Sequence, residues 1–363
     1  MERFTYEAAA ARVVFGAGML ANLAEELDRL GMKRVLVLST PEQRELAERV
    51  SSSLGERAVG LFDGAVMHVP VEVADNAGEL ADALQADCTV AIGGGSTIGL
   101  GKAIALRSKR PVVAVPTTFA GSEMTSVWGL TENGVKTTGR DPAVLPRVVI
   151  YDSILLASLP VAMAGVSGMN AIAHCVEALY AVDANPVISL FAEQGIMALS
   201  EALPQLVEGK PMLRPGALSR AQYGCWMAGM SLNGAAMALH HKLCHTLGGS
   251  LNLPHAQTHT VILPYATAYN ANAASDAMHR IATALGPFGR PGAARGLHDL
   301  ARAIGAPTSL AELGVSREAL PRIADLAVRA PYPNPRPIER DAILELLEQA
   351  LAGIPPEADP LDH

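Results

Sequence analysis

Five of the chain's ten histidines fall within twenty positions, in the stretch HHKLCHTLGGSLNLPHAQTH at 240–259. Imidazole is a metal ligand and also the side chain that changes charge near neutral pH. Such density therefore points to bound metal or to acid–base chemistry. His241 and His245 stand four apart and share one face of a helix. His240 points elsewhere and reads as a structural or solvent-facing residue. His255 follows the turn NLP, and His259 lies four beyond it. A separate helical segment, GMNAIAHCVEALY, repeats the spacing with Asn170 and His174. A lone helical histidine usually packs or caps. Two such pairs on different helices, with a further histidine, make a candidate site.

A second constellation is built from glycine and hydroxyl residues. CTVAIGGGSTIGLGK sets Gly93, Gly94 and Gly95 between a buried strand and a helix. Glycine lets a ligand approach the backbone, and a helix N-terminus offers unpaired N–H groups at the positive end of its dipole. Pyrophosphate is the natural occupant, with Ser96 and Thr97 as further donors and Lys102 one and a half turns along the helix. PTTFAGSE then places Thr117, Thr118 and Ser122 at the end of another strand, where open α/β sheets hold ligands. NAD-selective folds usually carry an acid after their second strand; VLVLSTPEQ puts Ser39 and Thr40 there instead, so NADH or NADPH is the expected cofactor.

The first 150 residues alternate short β-branched runs with helical patterns: RVVFGAG, KRVLVLST, AVGLFDG, CTVAIGGG, PVVAVPTT and RVVIYD, most of them followed by helical stretches. That alternation predicts a parallel, doubly wound, Rossmann-like α/β sheet with right-handed crossovers. Beyond LPVAMAGVSG the strand runs stop and long helical periods follow, broken by Gly and Pro. The expected division is an α/β dinucleotide-binding domain over 1–158 and an all-α catalytic domain over 159–363.

Composition narrows the class. Of the 363 residues, half are hydrophobic and 18% charged, which suits a well-buried enzyme. The net charge is -8 without a Lys/Arg run, which argues against nucleic acid or anionic membrane as a partner. Cys88, Cys175, Cys225 and Cys244 form no CxxC pair and read as free thiols in a reducing cytoplasm. The N-terminus lacks a signal-peptide pattern, and no apolar run is long enough to span a bilayer.

At these residues the chain resembles the iron-containing (group III) alcohol dehydrogenase family along its length, and within it the maleylacetate reductase branch most closely. The family's glycine motif GGGSxxDxxK stands here as GGGSTIGLGK, with Gly99 in place of the aspartate. PTTFAGSE matches its second nucleotide loop, and LPHAQTHTVILP its Pro-His-Gly segment. The resemblance implies a dehydroquinate synthase-like fold and a likeness of Asn170, His174, His241 and His255 to the metal ligands of the metal-dependent members. In those, an aspartate stands where this chain has Asn170. His245 matches a histidine given a proton-transfer role. With the one anionic ligand gone, and the branch regarded as metal-independent, no metal is expected here.

The branch implies NADH- or NADPH-dependent reduction of the carbon–carbon double bond of maleylacetate to 3-oxoadipate in bacterial aromatic catabolism. His241 and His245 are then expected to stabilise the enolate and move the proton, with His174 and His255 shaping the pocket and Asn170 donating a hydrogen bond. The two substrate carboxylates need cations, and Lys136, Arg140 and Lys242 are the candidates. A homodimer is the expected assembly. The alternatives are a metal-dependent alcohol or polyol dehydrogenase, a lyase of the dehydroquinate synthase kind, which wants a denser set of phosphate-binding Lys/Arg, and a non-catalytic nucleotide-binding protein.

Overall fold

The computed structural model describes residues 4–8, 11–132, 135–208 and 214–359. It divides into two compact units, one spanning Ala8–Leu159 and the other running from Pro160 onward with the first seven residues.

The first unit runs β1 (Arg12–Phe15), α1 (Leu23–Leu30), β2 (Val35–Leu38), α2 (Arg44–Leu54), β3 (Ala58–Phe62), α3 (Val71–Ala83), β4 (Cys88–Gly93), α4 (Gly95–Ser108), β5 (Val112–Pro116), β6 (Val127–Glu132), β7 (Val135–Arg140) and β8 (Val148–Tyr151). Six strands form one sheet in the order β1-β8-β5-β4-β2-β3, and every neighbouring pair is parallel. The sequence VLVL shows why β2 is central. Val35 and Val37 enter one apolar cluster with Leu27, Val50 and Ile92, while Leu36 and Leu38 enter another with Ala77, Leu100 and Ile104. A strand buried on both faces has no polar side, which is why it reads as a continuous apolar run. From β2 the chain goes outward to β3 and then returns to β4 on the opposite flank. The crevice beyond the carboxyl ends of β2 and β4 is therefore the topological switch point, where such sheets hold ligands.

One element departs from the sequence reading. Beyond PTTFAGSE, where the sequence reading placed no strand, Val127–Glu132 form β6, which pairs antiparallel with β7 through Thr131 opposite Lys136 and Val127 opposite Arg140.

The second unit is helical: α5 (Val161–Tyr180), α6 (Pro186–Val207), α7 (Pro215–Gly234), α8 (Leu239–Leu251), α9 (His255–Asn270), α10 (Ser275–Ala284), α11 (Ala293–Ala303), α12 (Leu320–Ala327) and α13 (Arg340–Ala352). Helix α5 is buried on every side from Ala164 to Tyr180. It packs against α6, α7 and α9, so its polar residues Asn170, His174 and Glu177 must find partners inside the protein. Leu243 and Leu247 of α8 join Ile262 of α9, Ile323 of α12 and Leu347 of α13 in one core that fixes the histidine-bearing helices. Among the described residues no helix is long and apolar enough to cross a membrane.

Candidate active site

In the α/β unit the expected nucleotide loops sit side by side at the carboxyl ends of β2, β4 and β5. Glycine is required at the β4 turn by close approach. A Cβ on Gly93 would strike the Thr97 hydroxyl, and one on Gly94 would come within 2.9 Å of the Thr118 side chain. A Cβ on Gly95 would meet only Ala120, at 3.9 Å, so that position opens outward. No side chain caps α4, which leaves the first N–H groups at Gly95 and Ser96 for an anion. Thr117 accepts a 2.7 Å hydrogen bond from Gln43 Nε2, tying the loop after β5 to the loop after β2. Gly99, where the family motif has aspartate, would press a Cβ against Val69 at 2.8 Å.

Three placements in this unit differ from expectation. Lys102 does not reach toward a phosphate. It is 1% exposed, and its ammonium donates to the carbonyls of Ser122 and Val127 and to the Thr125 hydroxyl. Burial pushes its pKa down to about 7, against the pull of the Glu123 carboxylate. Ser122 is consequently held by Lys102. Ser39 is fully buried, its N–H bonded to the Phe62 carbonyl and its carbonyl to the Ala65 N–H, and only Thr40 of that pair is partly open.

In the helical unit α5, α8 and α9 gather six imidazoles. The rings of His241 and His259 are 4.9 Å apart between centroids, those of His255 and His259 4.3 Å, and those of His245 and His255 6.3 Å. His174 Nδ1 lies 2.8 Å from His241 Nε2, and the Asn170 amide nitrogen lies 3.5 Å from His174 Nε2. His174 and His241 are buried, whereas His245 is exposed and His255 half-buried. The row therefore runs from the interior to an accessible edge.

His240 is not solvent-facing. It is fully buried, with Nε2 2.9 Å from His259 Nδ1 and 3.8 Å from the Cys244 thiol. Burial, reinforced by the neighbouring imidazoles, drives both His240 and His259 well below the ordinary histidine pKa, so both are neutral. His240, Cys244 and His259 are the one described trio of His/Cys/Asp/Glu donors close enough to share an ion. The 2.9 Å contact is the length of a hydrogen bond between two rings.

Sequence reasoning missed Glu177. It is fully buried and accepts from His241 Nδ1 at 2.6 Å, from the Ala238 N–H at 3.0 Å and from the His240 N–H at 2.7 Å. The last two are orphan donors at the start of α8, which no side chain of its own N-cap satisfies. One signal was available. Glu177 stands seven residues after Asn170 and three after His174, on their face of an otherwise apolar helix.

The cation candidates are dispersed. Lys136 and Arg140 are exposed on β7, four apart and so on the same face of the strand, while half-buried Lys242 places its ammonium 5.8 Å from the centre of the Tyr332 ring.

A parallel sheet with a glycine turn at its switch point, followed by a helical unit carrying a histidine row, is the architecture of a dehydrogenase class. Residues 10–153 match the model of the iron-containing alcohol dehydrogenases, and residues 164–351 match the C-terminal model of the Fe-containing alcohol dehydrogenase family. The chain belongs to that family and is an oxidoreductase. It is 58% identical to the maleylacetate reductase of Burkholderia cepacia, over 98% of this chain and all of that one. The crystal structure of maleylacetate reductase from Agrobacterium tumefaciens superposes with a TM-score of 0.94 at 52% identity, covering 98% of this chain and 100% of that one. An iron-containing alcohol dehydrogenase structure from Corynebacterium glutamicum gives 0.92 at 42% identity, with 98% and 99% covered.

Membership corrects one expectation. The family is named for its iron, so a metal cofactor is implied and the expectation of a metal-free site is overturned. The donor types here suit such an ion, although the ring nitrogens of His174, His241 and His255 do not all lie within 4.8 Å of one another. Asn170 Oδ1 is buried without a hydrogen-bond partner among the described residues, leaving an amide oxygen uncommitted. Beside it stand imidazoles, the preferred nitrogen ligands of iron and zinc. The neutral Asn170 weakens the set without disqualifying it, which is why loss of the aspartate alone was a poor guide.

Proposed function

We propose that this chain is a maleylacetate reductase, reducing the carbon–carbon double bond of maleylacetate to give 3-oxoadipate at the expense of NADH or NADPH. The observation that carries the reading is near full-length identity of 58% to a maleylacetate reductase, with the α/β and helical halves both matched.

The proposed cofactor site is the switch-point crevice. The α4 N-terminus and the Gly93–Gly95 turn take the pyrophosphate, with Ser96 and Thr97 beside it, Thr118 walling the turn and Thr40 at the ribose end. Thr117 and Ser122 hold the surrounding loops through Gln43 and Lys102. A divalent ion held by Asn170, His174, His241 and His255 would supply Lewis-acid polarisation of the substrate's ketone oxygen. Hydride from the nicotinamide adds to the carbon β to the ketone, and the charge spreads into an enolate. His241 and His174, buried and hydrogen-bonded to each other, supply preorganised polarity for that enolate. His245, on the exposed edge of the row, exchanges protons with solvent and delivers one to the adjacent carbon. Lys136, Arg140 and Lys242 remain the proposed partners of the substrate carboxylates. Free, buried cysteines suit a cytoplasmic enzyme, and a homodimer is the assembly we attach to the reading, checked by a sedimentation mass of twice 37.9 kDa.

The test is cofactor oxidation by the purified protein with maleylacetate, beside simple alcohols and diols in the reverse direction. Rapid turnover of maleylacetate is expected. Oxidation of alcohols with maleylacetate untouched would establish the polyol dehydrogenase alternative instead.

A further inference from the structure

A carboxylate buried without exposure is costly unless its lone pairs are satisfied and its charge is balanced. Glu177 meets both conditions in an informative way. Its two oxygens accept the Ala238 and His240 N–H groups at the positive end of the α8 dipole, and Oε2 also lies 2.6 Å from a side-chain atom, His241 Nδ1. An ionised carboxylate only accepts. The neutral tautomer of His241 that this contact selects carries its hydrogen on Nδ1 and leaves Nε2 bare.

The next link follows. His241 Nε2 lies 2.8 Å from His174 Nδ1, so with Nε2 bare the shared hydrogen belongs to His174 Nδ1. That in turn leaves His174 Nε2 as a lone pair, facing the Asn170 amide nitrogen at 3.5 Å. The amide is thereby turned with its N–H₂ toward His174, and its oxygen Oδ1 is left without a partner among the described residues. One buried anion orders two tautomers and one amide.

We propose that Glu177 is a positioning residue that acts through His241, fixing the tautomers of His241 and His174 and lending the site the negative charge that the neutral Asn170 does not supply. A carboxylate behind a histidine raises that ring's basicity as a ligand or as an acceptor, and loss of such a partner typically costs 10–100-fold in metal affinity or activity. The proposal rests on the histidine row being the reactive site, as argued under the proposed function. It does not depend on which substrate that site takes.

The experiment has two arms. In the first, wild-type protein labelled with ¹⁵N-histidine is examined by long-range ¹H–¹⁵N correlation, without substrate or metal and above the histidine pKa range. His241, assigned by its loss in His241→Gln, is expected to carry its hydrogen on Nδ1, with the proton far downfield and slow to exchange. A hydrogen on Nε2 with Nδ1 bare overturns the proposal, whether or not any variant folds. In the second, Glu177→Gln and Glu177→Asp are compared by calorimetric titration with Zn²⁺ and by steady-state kinetics with maleylacetate. Glu177→Gln, which lacks the charge and can offer N–H to Nδ1, is expected to weaken Zn²⁺ binding about 10–100-fold. It should also lower kcat while KM stays within about twofold. Glu177→Asp, which keeps the charge, should recover part of both losses. A folded Glu177→Gln protein with unchanged His241 tautomer and unchanged Zn²⁺ affinity overturns the proposal. Wild type that ignores maleylacetate refutes the functional reading alone, because the tautomer and Zn²⁺ measurements still decide the role of Glu177.

Discussion

The buried ammonium of Lys102 donates to the Ser122 carbonyl at 2.5 Å and so clamps the loop after β5 onto helix α4. Its pKa of about 7 lies below the usual 10.5, so over that window the unfolded chain holds a proton that the native protein has released. Stability must then rise with pH from about 7 toward 10.5, by up to ~1.4 kcal/mol per pH unit from this group. Lys102→Met should flatten that slope and lower stability at pH 9 by on the order of 1–3 kcal/mol, because three acceptors, in the buried Thr125 and the half-buried Ser122 and Val127, lose their donor. Urea unfolding at pH 7 and pH 9 checks both. An identical pH dependence in wild type and variant would mean that the amine keeps its charge throughout.

Much of this arrangement could be read from the sequence because it is local. Strands such as VLVL and CTVAIG are apolar on both faces, and GGGS marks the turn after one of them, so the parallel sheet and its glycine turn leave a trace within a few residues. The i,i+4 spacings of Asn170/His174 and His241/His245 likewise predicted shared faces. What escaped was set by residues far apart in the chain. Glu177 reads as a stray acid until Ala238, His240 and His241, more than sixty positions later, arrive beside it. Lys102 reads as a phosphate ligand until Ser122, Thr125 and Val127 enclose it. His240 could not be assigned to the interior without knowing that α9 brings His259 against it.

The Gly94 and Gly95 positions separate two meanings of the glycine turn. Gly95→Ala adds a methyl that meets no protein atom closer than 3.9 Å, so the fold should be unaffected. NADH affinity should nevertheless fall roughly tenfold, or ~1.4 kcal/mol, if the backbone there touches the pyrophosphate. Gly94→Asp forces a side chain against Thr118 and adds a negative charge, and a larger loss is expected. Fluorescence titration with NADH, alongside melting curves, is the measurement. Wild-type affinity in folded Gly95→Ala would take the pyrophosphate away from this turn.

Cofactor discrimination should be tested at Thr40 rather than Ser39. Ser39 is fully buried, so an aspartate there would bury a charge and damage the fold before it met any cofactor. Thr40 is partly open at the end of β2. Wild type is expected to turn over with both NADH and NADPH. Thr40→Asp should lower kcat/KM for NADPH relative to NADH by about tenfold, since a like charge then faces the 2′-phosphate. Equal effects on the two cofactors would remove Thr40 from the ribose end of the site.

Asn170→Asp probes the donor set directly. The two side chains are nearly isosteric, and the Asn170 oxygen has no partner to lose among the described residues, so packing should hold. The new carboxylate gives His174, His241 and His255 an anionic co-ligand, and Zn²⁺ or Fe²⁺ affinity should rise by more than tenfold. Without metal the same charge is 5% exposed at most and shares helix α5 with the buried Glu177, two turns away. The metal-free variant should therefore be less stable than wild type by on the order of 1–3 kcal/mol at neutral pH. Saturating Zn²⁺ should return that stability, since an ion bound only by the native state shifts the unfolding equilibrium in proportion to the logarithm of its concentration over Kd. Calorimetric titration and paired melting curves with Zn²⁺ and with chelator provide the measurement. If the variant binds Zn²⁺ no more tightly than wild type, residue 170 does not face the ion, and the assignment of Asn170, His174, His241 and His255 as one donor set is wrong.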